Sequence, residues 1–289
     1  MVATETRKAL PRLVFTGAGL AVFVLAYAWL LATGNTAISA SSDPGASRIS
    51  LWAALLPPLT AIVAARLVGP KAEPPAPLAG LPGSRLRSEA WVLVGAALLI
   101  ALVAPAARSL GLVYPLVKVL LLLVVPLVAM RLIRGDGPKA RAIPAPVTWL
   151  APLPAILAWF LLSQVGPLAV PLTQQLPDPV SLVVGSLVTL LTASVLEEVF
   201  YRAWLQTRLE ALYGRWPAIM ASSLLFALMH SSRMTSDAPL LGLATIVAFQ
   251  GVFGLMLGYL WSRYRNIWVV VAIHTIMNLA LVPLLLALL

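Results

Sequence analysis

The chain has 289 residues, of which 61% are hydrophobic and 10% are charged, and its 20 basic and 10 acidic side chains give a formal net charge of +10. Its mean hydropathy is +0.95, whereas soluble domains carry about 25% charged residues, so the composition excludes an ordinary soluble globular protein. The sequence has no cysteine, which excludes disulfides, thiolate nucleophiles and cysteine-ligated metals.

Nine apolar segments follow one another along the chain, and several approach the roughly 20 residues that a helix needs to cross a bilayer. They lie at about 13–33, 50–68, 90–107, 114–133, 149–172, 180–207, 216–232, 239–261 and 267–288. Pro105 and Arg108 interrupt the region around the third segment. The pattern predicts an all-α fold, a polytopic transmembrane helical bundle of about eight or nine spans.

The basic residues concentrate in alternate connections between these segments. Fifteen of the 20 lie before the first segment or in the second, fourth, sixth and eighth connections, whereas Lys118 and Arg202 lie within segments. Basic residues favour cytoplasmic loops, so we predict a cytoplasmic N-terminus. The same placement explains the positive net charge as a signal of membrane topology and of contact with the lipid bilayer. No nucleic-acid partner is predicted. The compact loops favour the inner membrane of a prokaryotic cell.

Two adjacent glutamates in the sixth segment are the only acidic side chains predicted within any segment. Glu197 and Glu198 follow the uncharged run VSLVVGSLVTLLTA, and ionisable groups at membrane depth normally face a partner or a watery cavity. Glu198 and Arg202 are four residues apart with the acid first, which favours an ion pair along the helix. Glu197 points about 100° away from Glu198. The same pattern is also common in an ion-paired helix end near the membrane surface.

The only two histidines of the sequence both lie in apolar segments of its C-terminal half. His230 follows Phe226 by one helical turn, and His274 precedes Asn278 by one turn, so each pair shares a helical face. A lone membrane histidine is most often a hydrogen-bonded packing residue. Two histidines in the half of the chain that carries the buried glutamates weaken that interpretation.

The depths of these groups can be compared along the chain. If the helices that carry Glu197 and His230 form a hairpin that turns at 213–214, each residue lies 16 positions from the turn, and the two are level. His274 lies only about 8 positions into its segment. It reaches the same depth only if residues 203–215 protrude from the membrane or lie along its surface.

These residue types suit the hydrolysis of a peptide bond. A carboxylate and an imidazole around one water can take its proton as it attacks a carbonyl and then pass that proton to the leaving amine. A second imidazole and a carboxamide can donate hydrogen bonds to the developing oxyanion. Glu197 or Glu198, together with His230, His274 and Asn278, supplies this set without a covalent nucleophile. The choice of base between the two glutamates stays open.

The three motifs together resemble those of the CPBP family, the CAAX-processing and bacteriocin-processing (Abi) group of intramembrane glutamic endopeptidases. The motifs lie, in the family's order, at 197–202, 226–230 and 274–278. The resemblance covers about residues 180–288 and implies a helical bundle that encloses a polar membrane cavity. It makes 151–289 the catalytic core and leaves 1–150 as N-terminal spans of unassigned role. The implied partner is a peptide or protein substrate at the membrane.

The resemblance also implies a role for each motif residue. Glu197 and His230 correspond to the pair that activates water, and His274 and Asn278 correspond to the donors that stabilise the oxyanion. The residues that correspond to supporting positions are Glu198, Arg202 and Phe226. No metal and no other cofactor is implied. The substrate sequence, its prenylation and the oligomeric state are not predicted.

Two other classes of function stay open. A metalloprotease could use a glutamate and two histidines as zinc ligands, although the sequence lacks the helical zinc signature H-E-x-x-H. A transporter or a non-enzymatic scaffold could use the buried Glu/His cluster as a charged pathway or a docking cavity. No inverted repeat supports the transporter.

Three glycines in the eighth segment predict close helix packing. Gly254 and Gly258 have the spacing that lets two helix backbones approach, and Gly251 lies one turn earlier. We expect this surface to pack inside one chain rather than to form a dimer.

Overall fold

The structure is a computed structural model, and it describes residues 2–39, 47–70, 73–111, 113–146, 148–169, 177–234 and 237–279. Within these ranges nine apolar helices account for most of the chain, which confirms the predicted all-α membrane bundle. They are α1 (Val2–Ala32), α2 (Leu51–Leu67), α3 (Gly83–Ala106), α4 (Val113–Arg134), α5 (Leu153–Val165), α6 (Pro179–Tyr213), α7 (Arg215–Leu228), α8 (Pro239–Tyr264) and α9 (Ile267–Leu279). Five of them, namely α1, α3, α4, α6 and α8, contain stretches long and apolar enough to cross a membrane.

Short elements complete the described fold. Strands β1 (Ala37–Ser39) and β2 (Arg48–Ser50) pair antiparallel in the connection between α1 and α2, whose residues 40–46 lie outside the described ranges. A helical turn at Ala107–Leu110 follows α3, and a 3₁₀ turn at Ser231–Arg233 follows α7. The predicted ends of the fifth and ninth segments, 170–172 and 280–288, also lie outside the described residues.

The ends of α6 have clear local causes. Asp178 caps its N-terminus, where its carboxylate accepts hydrogen bonds from the backbone N–H groups of Val180 and Ser181 at 3.1 Å. The hydrogen bond with Ser181 lowers the pKa of the exposed Asp178 carboxyl below its usual value. At the other end Gly214 takes φ +90°, a conformation that favours glycine. The predicted turn at 213–214 between α6 and α7 is therefore confirmed.

Helix α8 lies at the centre of the bundle, and 72% of its apolar window is buried. It packs against α2 and α7. A Cβ added at Gly254 would lie 3.2 Å from the Phe226 ring on α7, and one at Gly258 would lie 2.8 Å from the Gln206 amide oxygen on α6. The prediction that these glycines pack helices within one chain is confirmed.

One buried core joins both halves of the chain. Side chains of α2, α3 and α4 share it with side chains of α5 to α9. Large apolar side chains on the outer faces of α1, α3 and α4 are exposed, as expected of a surface that lipid covers. The N-terminal helices therefore pack directly around the region that carries the three motifs.

Further acids lie within the apolar helices, among them Glu89 in α3 and Glu210 in α6, so the prediction that Glu197 and Glu198 are the only ones is wrong. Helix α3 begins at Gly83, and Glu89 is completely buried in it. Its carboxylate accepts from Arg85 and from Arg208, each at 2.7 Å. The two guanidinium groups compensate the buried charge, which hydropathy along the sequence does not register.

Candidate active site

The glutamates lie where α6 departs from regular α-helical winding. π-helical segments at Leu190–Val195 and Val199–Gln206 flank the short α-helical turn Leu196–Glu198. Both glutamates are buried there, although they point in different directions around the helix. Such π segments are frequent at functional sites, because the wider turn changes which side chains face inward.

Glu198 is held by two partners on two helices. Its Oε2 accepts from Nε of Arg202 at 3.1 Å, which confirms the ion pair predicted along α6. Its Oε1 lies 2.8 Å from Nδ1 of His274 on α9. The Nη1 of Arg202 also donates to the Ser222 hydroxyl on α7 at 3.4 Å. All three helices therefore meet around this carboxylate.

Glu197 has different partners. Its Oε1 accepts a hydrogen bond from the ammonium group of Lys118, a buried lysine of α4. Its Oε2 is buried and has no hydrogen-bond partner among the described residues. That oxygen lies 4.0 Å from Nε2 of His274. The structure thus leaves one carboxylate oxygen of Glu197 available beside an imidazole.

The ring of Phe226 lies at the centre of the aromatic contacts in the site. Its ring centroid lies 5.1 Å from that of His230 and 5.7 Å from that of His274, both in edge-to-face geometry. The guanidinium carbon of Arg202 lies 4.9 Å from the same ring. The predicted supporting residue therefore contacts both histidines and the cation.

His230 and Asn278 lie on either side of this centre. Nδ1 of His230 lies 3.0 Å from the carbonyl oxygen of Phe226, so this nitrogen carries the proton and donates it. The amide of Asn278 donates to the Ser194 hydroxyl on α6 at 3.2 Å. Neither oxygen of Glu197 is hydrogen-bonded to His230, because Oε1 accepts from Lys118 and Oε2 has no partner among the described residues.

A cavity of about 150 Å³ connects three of the four predicted catalytic side chains. Its lining consists of Phe226, His230, Arg233, Phe249, Gln250, Phe253, His274, Met277 and Asn278. With its amide oxygen turned toward Arg233, Gln250 accepts from the guanidinium at 2.8 Å. Polar groups from α7, α8 and α9 therefore border a space large enough for water.

The length of α6 bears on the membrane depth of His274 relative to the two glutamates. Helix α6 has 35 residues, or about 50 Å at the α-helical rise, which exceeds a hydrocarbon core of roughly 30 Å. The helix must therefore tilt or extend beyond the apolar layer at one of its ends, and the protrusion of residues 203–215 stays a prediction. His274 lies 2.8 Å from Glu198 and 4.0 Å from Glu197.

Several contacting residues were not predicted to belong to the site, among them Lys118 and Ser194. The sequence places Lys118 within a span, and a lysine in VYPLVKVLLLLV was the available signal, but nothing in the sequence paired it with Glu197. Ser194 gave no signal, because serine is common in membrane helices. Among the described residues no group of three His, Asp or Glu side chains has the arrangement of a metal site.

A buried cluster of carboxylate, imidazole and guanidinium groups lies beside a cavity that His274 lines, and it marks this integral membrane bundle as a candidate membrane enzyme. Residues 179–280 match the family described as type II CAAX prenyl endopeptidase Rce1-like. The match contains all three motifs and confirms the CPBP resemblance for about a third of the chain. It supports a CAAX-protease-type intramembrane endopeptidase. No curated protein and no solved structure gives a match.

Proposed function

We propose that this protein is an intramembrane endopeptidase of the glutamic type, in which Glu197 activates a water for attack on a peptide bond near the bilayer. One observation carries the proposal. Oε2 of Glu197 is buried without a hydrogen-bond partner among the described residues, and it lies 4.0 Å from Nε2 of His274. A buried carboxylate oxygen is strongly disfavoured without a partner.

A water molecule suits this position. Two acceptors 4.0 Å apart are too far for a direct hydrogen bond but close enough for one water to bridge them. The water would donate to Glu197 and to His274. As it attacks the substrate carbonyl, Glu197 takes its proton, which is general-base catalysis, and the same proton can then pass from Glu197 to Nε2 of His274.

The charge balance favours Glu197 as an ionised base. Lys118 contacts Glu197, and Arg202 contacts Glu198. With both histidines neutral, these four groups carry no net charge. A carboxylate that stays ionised can accept a proton, whereas an unpaired buried carboxylate tends to become neutral.

Glu198 prepares His274 for the second half of the reaction. The 2.8 Å contact puts the imidazole proton on Nδ1, facing the carboxylate, so Nε2 carries a lone pair in the resting enzyme. His274 can therefore donate to an oxyanion only after Nε2 has gained the proton from water. Glu198 then stabilises the imidazolium, as a carboxylate does in other carboxylate–imidazole pairs.

His230 and Asn278 complete the proposed mechanism. Since Nδ1 of His230 donates to a carbonyl, its Nε2 can accept a proton and return it to the leaving amine. The Asn278 amide uses one hydrogen for Ser194, and the other is available to the oxyanion. No covalent intermediate is required.

The substrate is proposed from the family match. The matched description names CAAX prenyl endopeptidases, so the first substrate class to test is a peptide with a prenylated Cys-a-a-X C-terminus. We further propose that the basic connections face the cytoplasm of a prokaryotic inner membrane, as their charge predicts.

The deciding experiment compares wild-type protein with Glu197→Gln in lipid vesicles. A farnesylated peptide ending in Cys-a-a-X is added, and mass spectrometry measures the released C-terminal fragment. We expect Glu197→Gln to lower kcat by about 10²- to 10⁴-fold, the usual contribution of a general base. Cleavage by Glu197→Gln at the wild-type rate would refute the assigned mechanism.

Two controls accompany this comparison. If the farnesylated peptide is not cleaved, the termini of membrane proteins are compared in cells that express wild-type protein or Glu197→Gln, which identifies another substrate class. Activity is also measured with a metal chelator, which tests the metalloprotease alternative. The carboxylates of Glu197 and Glu198 already contact cationic side chains, so we expect the chelator to have no effect. Activity lost on chelation and restored by zinc would favour the metal-dependent alternative.

A further inference from the structure

Lys118 is a buried cation outside the family-matched segment. It lies on α4 within VYPLVKVLLLLV and is 8% exposed. Its ammonium group donates to Oε1 of Glu197, 79 positions further along the chain. A π-helical turn at Leu120–Val124 follows it directly. An isolated lysine in an apolar helix is unfavourable, so its presence indicates a specific partner.

The other ionisable groups around Glu197 leave Lys118 as its cationic partner. The ionisable groups near Glu197 are Lys118 and Tyr114 on α4, His274 on α9, and Glu198, Tyr201 and Arg202 on α6, with His230 on the far side of the cavity. Arg202 is engaged by Glu198, and Nδ1 of His274 faces the same carboxylate. Lys118 is therefore the basic side chain that donates a hydrogen bond to Glu197 among the described residues.

The contact with Lys118 also determines which carboxylate oxygen of Glu197 is available to a water molecule. Lys118 occupies Oε1, and Oε2 is left beside Nε2 of His274. Without Lys118 the carboxylate could rotate, and Oε1 would lose its charged donor. Helix α4 packs against α3 and contacts α6 near the glutamates, so the position of Lys118 depends on the packing of the N-terminal half.

We propose that Lys118 is a positioning residue for the peptidase reaction, which neutralises Glu197 and orients it so that one oxygen faces the attacking water. This inference rests on the proposed function. It also gives the N-terminal half a role, because α4 supplies a group that the matched segment lacks. The catalytic unit then includes at least α4 together with α6, α7 and α9.

The activity test uses four variants of the full-length protein in lipid vesicles. Lys118→Met removes the charge at similar length, Lys118→Arg keeps it, and Leu116→Met changes an exposed residue of the same helix as a control. We expect Lys118→Met to lower kcat by about 10²-fold with little change in KM, since it acts through the general base. Lys118→Arg should recover most of this loss. In Lys118→Met/Glu197→Gln the lysine change should cause no further loss.

Two results would overturn the role. One is wild-type kcat in Lys118→Met. The other is an equal fold-loss from Lys118→Met in the presence and in the absence of Glu197, because independent effects multiply and coupled effects do not. Folding is monitored by size-exclusion chromatography. If Lys118→Met does not fold, Lys118→Met/Glu197→Gln, which retains a balanced site, is compared with Glu197→Gln, and a further loss of kcat from the lysine change overturns the role.

An infrared measurement separates this inference from the proposed function. We expect a protonated carboxylic acid band to appear in Lys118→Met and to vanish in Lys118→Met/Glu197→Gln, because an unpaired buried carboxylate takes up a proton. Absence of that band refutes the ion pair even if the enzyme is active. Presence of the band in a protein that cleaves no peptide retains the ion pair and refutes the peptidase.

Discussion

Replacing Arg202 with methionine removes one member of a fully buried ion pair and leaves most of the side-chain volume in place. Arg202 and Glu198 are both 0% exposed, and their Nε–Oε2 distance is 3.1 Å. The variant leaves the Glu198 carboxylate with His274 as its remaining side-chain partner. We expect Arg202→Met to fold with much lower stability than the wild type.

The size of the loss follows from two contacts. Removing one partner of a buried pair costs about 3–5 kcal/mol, because the other charge stays buried without compensation. The guanidinium also lies 4.9 Å from the Phe226 ring centroid, a desolvated contact of about 2 kcal/mol. A total of about 5–7 kcal/mol corresponds to a fall in Tm of about 10–28 °C for a chain of this size.

Thermal unfolding in detergent, followed by the fluorescence of the chain's 9 tryptophans, measures this loss. The control is Glu198→Gln/Arg202→Met, which removes both charges and keeps an acceptor for His274. We expect the double variant to regain at least half of the lost Tm. If Arg202→Met unfolds at the wild-type temperature, or the double variant is no more stable than the single one, the pair does not contribute as the geometry indicates.

Two further predictions concern turnover. Asn278→Ala should lower kcat by about 10²- to 10³-fold and change KM little, as expected of a donor to the oxyanion. If kcat/KM falls only because KM rises, with kcat unchanged, Asn278 is instead a uniform binding contact. Gly254→Val should lower kcat by at least about tenfold, because its side chain would displace Phe226, which contacts both histidines. Gly185→Ala, where an added Cβ meets nothing within 4 Å, is the matched control, and equal activity of the two glycine variants would contradict this reasoning.

Short-range features of the site could be predicted from the sequence. The ion pair between Glu198 and Arg202 follows from a four-residue spacing that any helix brings together. The turn at Gly214 follows from a residue type that accepts its backbone conformation. Both depend on geometry within one or two turns of the chain, which sequence specifies directly.

Contacts between distant helices could not be predicted in the same way. Lys118 and Glu197 meet only because α4 packs beside α6, and a single sequence does not specify which apolar helices are neighbours. The π-helical turns around the glutamates also had no sequence signal. They change which residues of α6 face inward and depend on packing from several sides.

Hydropathy along the sequence also predicted the limits of the helices incorrectly. The third segment was predicted from residue 90, yet α3 begins at Gly83 and contains Glu89. Arg208, predicted in a connection, is buried in α6 as a partner of that acid. A scale that assigns each residue its own transfer free energy cannot include compensation by a partner 119 positions away.

The pairing of Glu197 with Lys118 and of Glu198 with Arg202 has an electrical consequence. A membrane potential of 100 mV does about 2.3 kcal/mol of work on each elementary charge moved across it. The forces on two opposite charges held side by side cancel in sum, so an energised membrane exerts almost no net force on either ion pair. We therefore expect the resting site to keep its depth in a polarised cell membrane and in a vesicle without any voltage.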